Sequence, residues 1–238
     1  GTKAVSDSSV AAYTKIPNRV VNADWVGSSA VSDLDIDAFT HIPVGVDTLK
    51  FYPGKRNGGP VRILVMHRPS TPRRGARRIR EMYPKLKASL GSRAIIETVG
   101  EPCSWSDHHY GKLSQDGVAE LMRQVDILVE PSEYQGFGLP GLEAMASGIC
   151  VVSTDNRGVH EYGVHRHNCL IEGEKTLFAL ILEAVEDKGL RHSLGTAGRE
   201  TALKFDWSVI ADRWADYLGS LYRDSGLTRY VDTLPRQR

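Results

Sequence analysis

The stretch "PSEYQGFGLPGLEAMASGICVVST", Pro131 to Thr154, decides how the rest of the chain is read. It follows the apolar run "DILVE" and itself ends in "ICVVST", so two short β-type segments flank a turn and a helix. The helix has Pro140 in its first turn and Gly148 as its stop. Gly136 and Gly138 permit backbone conformations closed to other residues and let a ligand approach the main chain. The N–H groups and partial positive charge at the start of the following helix suit phosphate. Glu143, within the first turns, suits sugar hydroxyls as a charged acceptor. The same residues would also serve as plain loop geometry and a helix-capping carboxylate, and spacing alone leaves both readings open.

Outward from this stretch, strand and helix alternate. "VRILVMH" (Val61 to His67), "RAIIETVG", "DILVE", "ICVVST" and "NCLIE" are short runs, apolar on both faces. Between them lie helical patterns. Ala76, Ile79, Met82, Leu86 and Leu90 recur on one face of "GARRIREMYPKLKASLG", where Pro84 is expected to bend or interrupt the helix. Ser114 is a candidate N-cap for "QDGVAELMRQV". "EKTLFALILEAVED" and "LRHSLGTAGRETALK" are amphipathic. Strands apolar on both faces, alternating with helices, predict an α/β fold with a parallel sheet covered on both sides. Ligands in such sheets bind beyond the carboxyl ends of the strands. The glycine turn lies at one such end and "RPSTPRRG" at another.

The chain has 238 residues, is 41% hydrophobic and 25% charged, and carries a net charge of +1, so bulk charge nominates no partner. No apolar run approaches the roughly 20 residues of a membrane-spanning helix. The opening "GTKAVSDSSVAAYTK" lacks the apolar core of a signal peptide. Three cysteines without a short spacing argue against a disulfide framework and fit a reducing cytoplasm.

Arg68, Arg73 and Arg74 form a second candidate cluster, in the turn before a helix that starts at Gly75. Guanidinium groups bind phosphate oxygens in pairs and stay charged. Arg77, Arg78, Arg80, Lys85 and Lys87 continue the run as a basic helix face, normally just solvated but compatible with peripheral contact at a membrane. Without interleaved aromatics it does not suggest nucleic acid. His108 and His109, and the group His160, His165, His167 and Cys169, match no familiar metal spacing and are read as surface or satisfied core residues.

Taken together, these motifs resemble the nucleotide-sugar-binding half of GT-B glycosyltransferases, in particular the retaining family GT4. "HIPVGVDTLKFYP" is similar to the interdomain segment I-P-N-G-V-D-x-x-x-F, and "HRPSTPRRG" to the phosphate turn G-R-x-x-x-x-K-G. The opening stretch is similar to P-S-x-x-E-G-F-G-L-P-x-x-E-A-M-A-x-G-x-P-V-V, and "FDWSVIADRW" to the start of a helix returning to the amino-terminal half. The resemblance implies a Rossmann-like, GT-B carboxyl-terminal fold over residues 59–205, with residues 1–58 belonging to an amino-terminal domain and linker and residues 206–238 to a cross-over helix and polar tail. It implies that Arg68 and Arg74 grip the diphosphate of a nucleotide-sugar donor and that the Leu139 amide meets the distal phosphate. Gly136, Phe137 and Gly138 would hold sugar hydroxyls through the backbone, Glu143 the ribose, and Tyr110 to Leu113 the base. The reaction would need no metal or other cofactor, and the sugar would pass to a glycan or lipid-linked acceptor in the cytoplasm or on the inner face of a membrane.

Several positions depart from the family pattern, among them Arg74, where most members have lysine. Gln135 stands where the first of two glutamates is usual, with Glu133 a candidate substitute if it faces the same side. Val44 replaces an asparagine and Cys150 a proline, neither expected to touch the donor. The family's acceptor-binding amino-terminal domain has no counterpart before residue 20, which implies a fragment or a chain that works with a partner. Two other readings stay open: a noncatalytic nucleotide-sugar-binding module, for which Gln135 speaks, and a GT-B epimerase acting on the donor alone.

Overall fold

The computed structural model describes residues 14–34, 38–56 and 58–224. The polar tail beyond residue 224 and the first 13 residues lie outside them.

Six parallel strands form the main sheet in the order β5-β4-β3-β6-β7-β8. These are β3 (Val61–His67), β4 (Ala94–Gly100), β5 (His108–His109), β6 (Ile127–Glu130), β7 (Cys150–Ser153) and β8 (Leu170–Ile171). Side chains alternate strictly between two cores. Leu64, Leu128 and Val151 face one, with Met122, Leu142 and Met145, while Ile63, Val65, Ile127, Val129 and Val152 face the other, with Ile79, Leu180 and Ile181. Burial on both faces explains why these strands read as continuous apolar runs.

The chain winds outward from β3 in both directions, so the sheet order reverses between β3 and β6. Their carboxyl ends therefore diverge into loops that leave a crevice.

Helices α2 (Ala76–Leu90), α3 (Gln115–Met122) and α4 (Leu139–Ala146) connect these strands, and α5 (Leu177–Glu186) and α6 (Lys188–Leu203) follow the last of them. The Ser114 hydroxyl caps α3, accepting from the Gly117 N–H at 3.2 Å. Of the bend or interruption expected at Pro84, the interruption does not occur: α2 runs through this residue. It lies on the exposed face, where water can satisfy the carbonyl its ring leaves without a donor, and Ile79, Leu86 and Leu90 anchor the helix on both sides of it.

A smaller parallel pair, β1 (Val20–Val21) and β2 (Thr40–His41), is associated with α1 (Asp24–Leu34). Two bonds from Val46 and the residues around Asp206 tie the following segment to the last helix, α7 (Trp207–Asp224). Ile210 of α7 is buried, Trp214, Tyr217 and Leu221 are half-buried, and Leu218 is 56% exposed, so the apolar face found in the sequence is covered only in part.

Asp206 caps α7. Its carboxylate accepts from the Ser208 N–H at 2.9 Å and from the Thr48 hydroxyl at 2.5 Å. The hydrogen bonds from Ser208, then those from Thr48, hold its pKa down to about 2. A depressed carboxylate stabilises the fold above its ordinary range, and that contribution disappears as pH falls through the folded-state value. Asp206→Ala should therefore lower Tm by about 2–4 °C at pH 7, the effect of roughly 1 kcal/mol in a chain of this size. The difference from wild type should shrink as pH approaches about 2. An unchanged Tm at pH 7 would show that the cap adds nothing.

Candidate functional site

A cavity of about 470 Å³ opens at the carboxyl ends of β3 and β6, within the size range of small-molecule sites. Met66 and Arg68 reach it from the end of β3, Arg74 from the following turn, and Gln135 to Pro140 and Glu143 from the turn after β6 and the start of α4.

Two close approaches bring these turns together. The Glu133 N–H donates to the Arg73 carbonyl at 2.8 Å. Gly75, at φ 71°, sits where a β-carbon would be 2.0 Å from the Pro131 carbonyl oxygen, so only glycine allows the contact.

The glycine turn is anchored from below. Phe137 is 4% exposed, and its ring lies 5.6 Å from that of Tyr162 and 5.9 Å from that of Phe205. The Tyr162 hydroxyl donates to the Gly138 carbonyl at 2.7 Å. Gly138, at φ 93°, turns the chain into α4 without a side-chain cap. Among the described residues nothing accepts from the amides of Gly136, Phe137, Gly138 or Leu139. Four consecutive free donors at a helix start form a receptor for anionic or hydroxyl oxygens.

Arg68 is exposed and Arg74 half-buried. Burial pulls the Arg74 guanidinium down, Glu130 pulls it back up, and Arg68 and Arg73 press it down again. Arginine's ordinary value is high enough that the charge survives.

Arg74 donates to the Gln135 side-chain oxygen. Gln135 Nε2 in turn donates to Ser132 Oγ at 3.2 Å, and Ser132 Oγ donates to the buried Glu130 carboxylate. Burial pushes the Glu130 carboxyl up, against the hydrogen bond from Ser132 and the charge of Arg74. A glutamate at position 135 would place a carboxylate oxygen against a serine hydroxyl already donating to Glu130. The amide of Gln135 fits this chain of donors, and the acidic partner is supplied from the end of β6.

Glu133 does not take that role: it is exposed and lines two other cavities, because the chain turns between it and Gln135 instead of remaining extended. Val44, expected to stay clear of the donor, lies in the cavity wall. Leu113 lines the cavity as expected, but Tyr110 does not. The Tyr110 hydroxyl is committed to Arg62, at 2.9 Å, and to Glu97, at 3.0 Å. Asn22, Gln115 and Val118 also line the wall and carry no motif that would have marked them.

Three of the candidate histidines have partners where they lie. His165 Nδ1 accepts from the Ile171 N–H at 2.9 Å, His160 pairs with Asp155 at 2.8 Å, and His109 Nδ1 is 3.0 Å from Thr98 Oγ1. No cluster of three potential metal ligands occurs among the described residues. The basic face of α2 is partly neutralised, by Arg77–Glu81, Arg78–Glu172 and Lys87–Asp107 pairs.

Two arginines and four amides without acceptors among the described residues thus line one cavity at the carboxyl ends of a parallel sheet. Residues 106–201 match the family model of glycosyl transferases group 1. An uncharacterized glycosyltransferase of Methanocaldococcus jannaschii is 36% identical over 100 residues, 41% of this chain and 28% of its own. The O-antigen biosynthesis protein RfbC of Myxococcus xanthus is 30% identical over 182 residues, 71% of this chain and 14% of its own. The solved structure of Anabaena HepE in complex with UDP and glucose superposes with a TM-score of 0.73 at 15% identity, covering 90% of this chain and 66% of that one. Residues 106–201 are thus similar to glycosyl transferases group 1 and the chain shares the fold of the HepE structure, while it spans well under two thirds of those two curated relatives.

Burial pushes the Glu143 carboxyl up to about 7, against the opposing pull of the Gln115 side chain and Arg68. A raised carboxyl costs stability as pH rises from its ordinary value through the folded one, because the folded chain must give up a proton the unfolded chain has already lost. Glu143→Gln should therefore raise the Tm of the ligand-free chain at pH 8 by at least about 2 °C and leave it nearly unchanged at pH 5. A lower Tm at pH 8 would mean that the ionised carboxylate is well solvated or well partnered.

Proposed function

We propose that the chain binds the donor of a retaining glycosyltransferase, a nucleotide diphosphate sugar, whose hexose passes to a glycan or lipid-linked acceptor. The observation that carries this reading is the convergence of Arg68, Arg74, the free amides of Gly136 to Leu139 and Glu143 on one cavity. A diphosphate needs several donors and net positive charge, and a ribose needs an acceptor. Groups of both kinds line the cavity.

In this reading Arg68, Arg74 and the start of α4 stabilise the charge that develops on the departing diphosphate. This is electrostatic help that the protein itself supplies, so the reaction is proposed to proceed without a metal ion. The amides of Gly136, Phe137 and Gly138 orient the sugar, and Glu143 accepts from the ribose. Leu113, Val118 and Val44 give the wall its apolar character beside Gln115. Two of the relatives support the chemical class of ligand: RfbC acts in O-antigen biosynthesis by its name, and HepE was crystallised with UDP and glucose. The acceptor and the other part of a complete enzyme belong to the same proposal, as does work at or near a membrane surface. Among the described residues no helix is long and apolar enough to cross a membrane.

Arg74→Ala is expected to weaken nucleoside diphosphate binding, measured by calorimetry, about ten- to hundredfold, the loss of one charge-assisted contact. Binding of the bare nucleoside should change far less. Equal losses would remove Arg74 from the phosphate subsite. Adding EDTA should leave wild-type affinity for the diphosphate unchanged, whereas loss of binding on chelation would overturn the metal-independent part.

A further inference from the structure

The donor cleft has a second wall. The loop from β1 into α1 faces the glycine turn, and from it Asn22 reaches the cavity. Trp25, the second residue of α1, donates its indole N–H to the Gly136 carbonyl at 2.7 Å. On its other side the guanidinium of Arg157 lies 5.6 Å from the indole ring centre. Arg157 is held in an unusual place. Its φ of 65° and ψ of −53°, closed by a 2.8 Å bond from the Gly158 N–H to the Asn156 carbonyl, form the rare, strained kind of γ-turn. The same turn pairs with the backbone of Gln135, whose N–H donates to the Asn156 carbonyl at 3.0 Å. A short distance away His41 Nε2, at the end of β2, lies 3.3 Å from the Glu161 carboxylate without a hydrogen bond to it. The bond from Trp25 thus fastens the β1–α1–β2 unit to the rim of the cleft.

Gly136 is the point of interest. Its φ is not in the left-handed region, and a β-carbon there would meet nothing within 4 Å. The peptide between Gly136 and Phe137 lies between the anchored Phe137 ring and the Gln135 backbone, and the bond that Trp25 donates is what holds its carbonyl. A trans peptide directs C=O and N–H to opposite sides. With the Gly136 carbonyl held toward α1, the Phe137 N–H is directed away from it, and no described group accepts that N–H.

We propose that Trp25 is a positioning residue for the sugar end of the donor site. Its indole N–H sets the Gly136–Phe137 peptide so that the Phe137 N–H is presented to a sugar hydroxyl, and Arg157 holds the indole in place. Seating of the β1–α1–β2 unit on the main sheet is thereby coupled to the grip on the sugar, separately from the grip on the phosphates. The inference rests on the donor-binding reading above.

The test compares wild type with Trp25→Phe, using UDP-glucose, GDP-mannose, ADP-glucose and dTDP-glucose and, for each, the matching nucleoside diphosphate. For the pair that wild type binds, Trp25→Phe should raise the Kd of the nucleotide sugar about three- to tenfold, the range expected for one neutral hydrogen bond, and that of the nucleoside diphosphate less than about twofold. Replacing Trp25 by benzothienylalanine, which exchanges only the N–H for sulfur, should give the same selective loss and controls for any disturbance of packing. Equal losses for the two ligands, no loss for either, or full nucleotide-sugar affinity with the sulfur analogue would overturn the role of Trp25. Failure of wild type to bind any of the eight probes would instead overturn the donor-binding reading, and the inference with it.

Discussion

The Pro131 carbonyl approaches Gly75 so closely that no side chain fits between them, and the candidate site depends on that contact. It presses the arginine turn after β3 against the turn after β6, and the bond from the Glu133 N–H to Arg73 secures the same approach. A β-carbon at position 75 would push the turns apart and separate Arg74 from Gln135. The sheet supplies the broader frame: because its order reverses between β3 and β6, the turns leave in different directions and a cleft forms between them. The apolar residues on both faces of each strand hold that frame, and the site sits on its rim.

The electrostatics of the site run against the stability of the empty chain. Arg74 and Glu130 are both withdrawn from water, linked through Gln135 and Ser132, and burial opposes the charge on each. Glu143 is partly buried with a carboxyl pushed up to about 7. Four amides at the head of α4 lack acceptors among the described residues. Arg74, Glu143 and the free amides are unfavourable or unfulfilled without a ligand, and each would be relieved by a molecule carrying a diphosphate flanked by hydroxyls. Strained or poorly satisfied groups gather at functional sites for this reason.

Much of the fold was legible because its signals are local. β3, β4, β6 and β7 are apolar on both faces, and the Ser114 cap and the glycine stop of α4 follow directly from residue type. β1, β2 and β5 are two residues each, too short for any periodic pattern. Pro84 misled because the sequence does not show that it faces solvent. The motif located Arg68, Arg74 and the glycine turn, but only packing could show that Gln135 is spent on Arg74 and Ser132 and that Glu133 turns away. Tyr110 was out of reach for a similar reason, since its partners Arg62 and Glu97 come from β3 and β4, far away in the chain. Val44 and Trp25 touch the site from the amino-terminal side; the interdomain motif contains Val44 but does not show that it reaches the cavity, and no local pattern marks Trp25, 111 positions before the Gly136 it bonds.

The most direct measurement is a thermal-shift titration of the chain against UDP, GDP, ADP, dTDP and CDP. A ligand at about 100 times its Kd adds roughly 2.7 kcal/mol, or about 5–10 °C in a chain of this size. A clear rise in Tm with at least one of the five, saturating with concentration, is the result expected of a nucleotide diphosphate site. No rise with any of them would contradict it, leaving the glycine and arginine turns as scaffold alone.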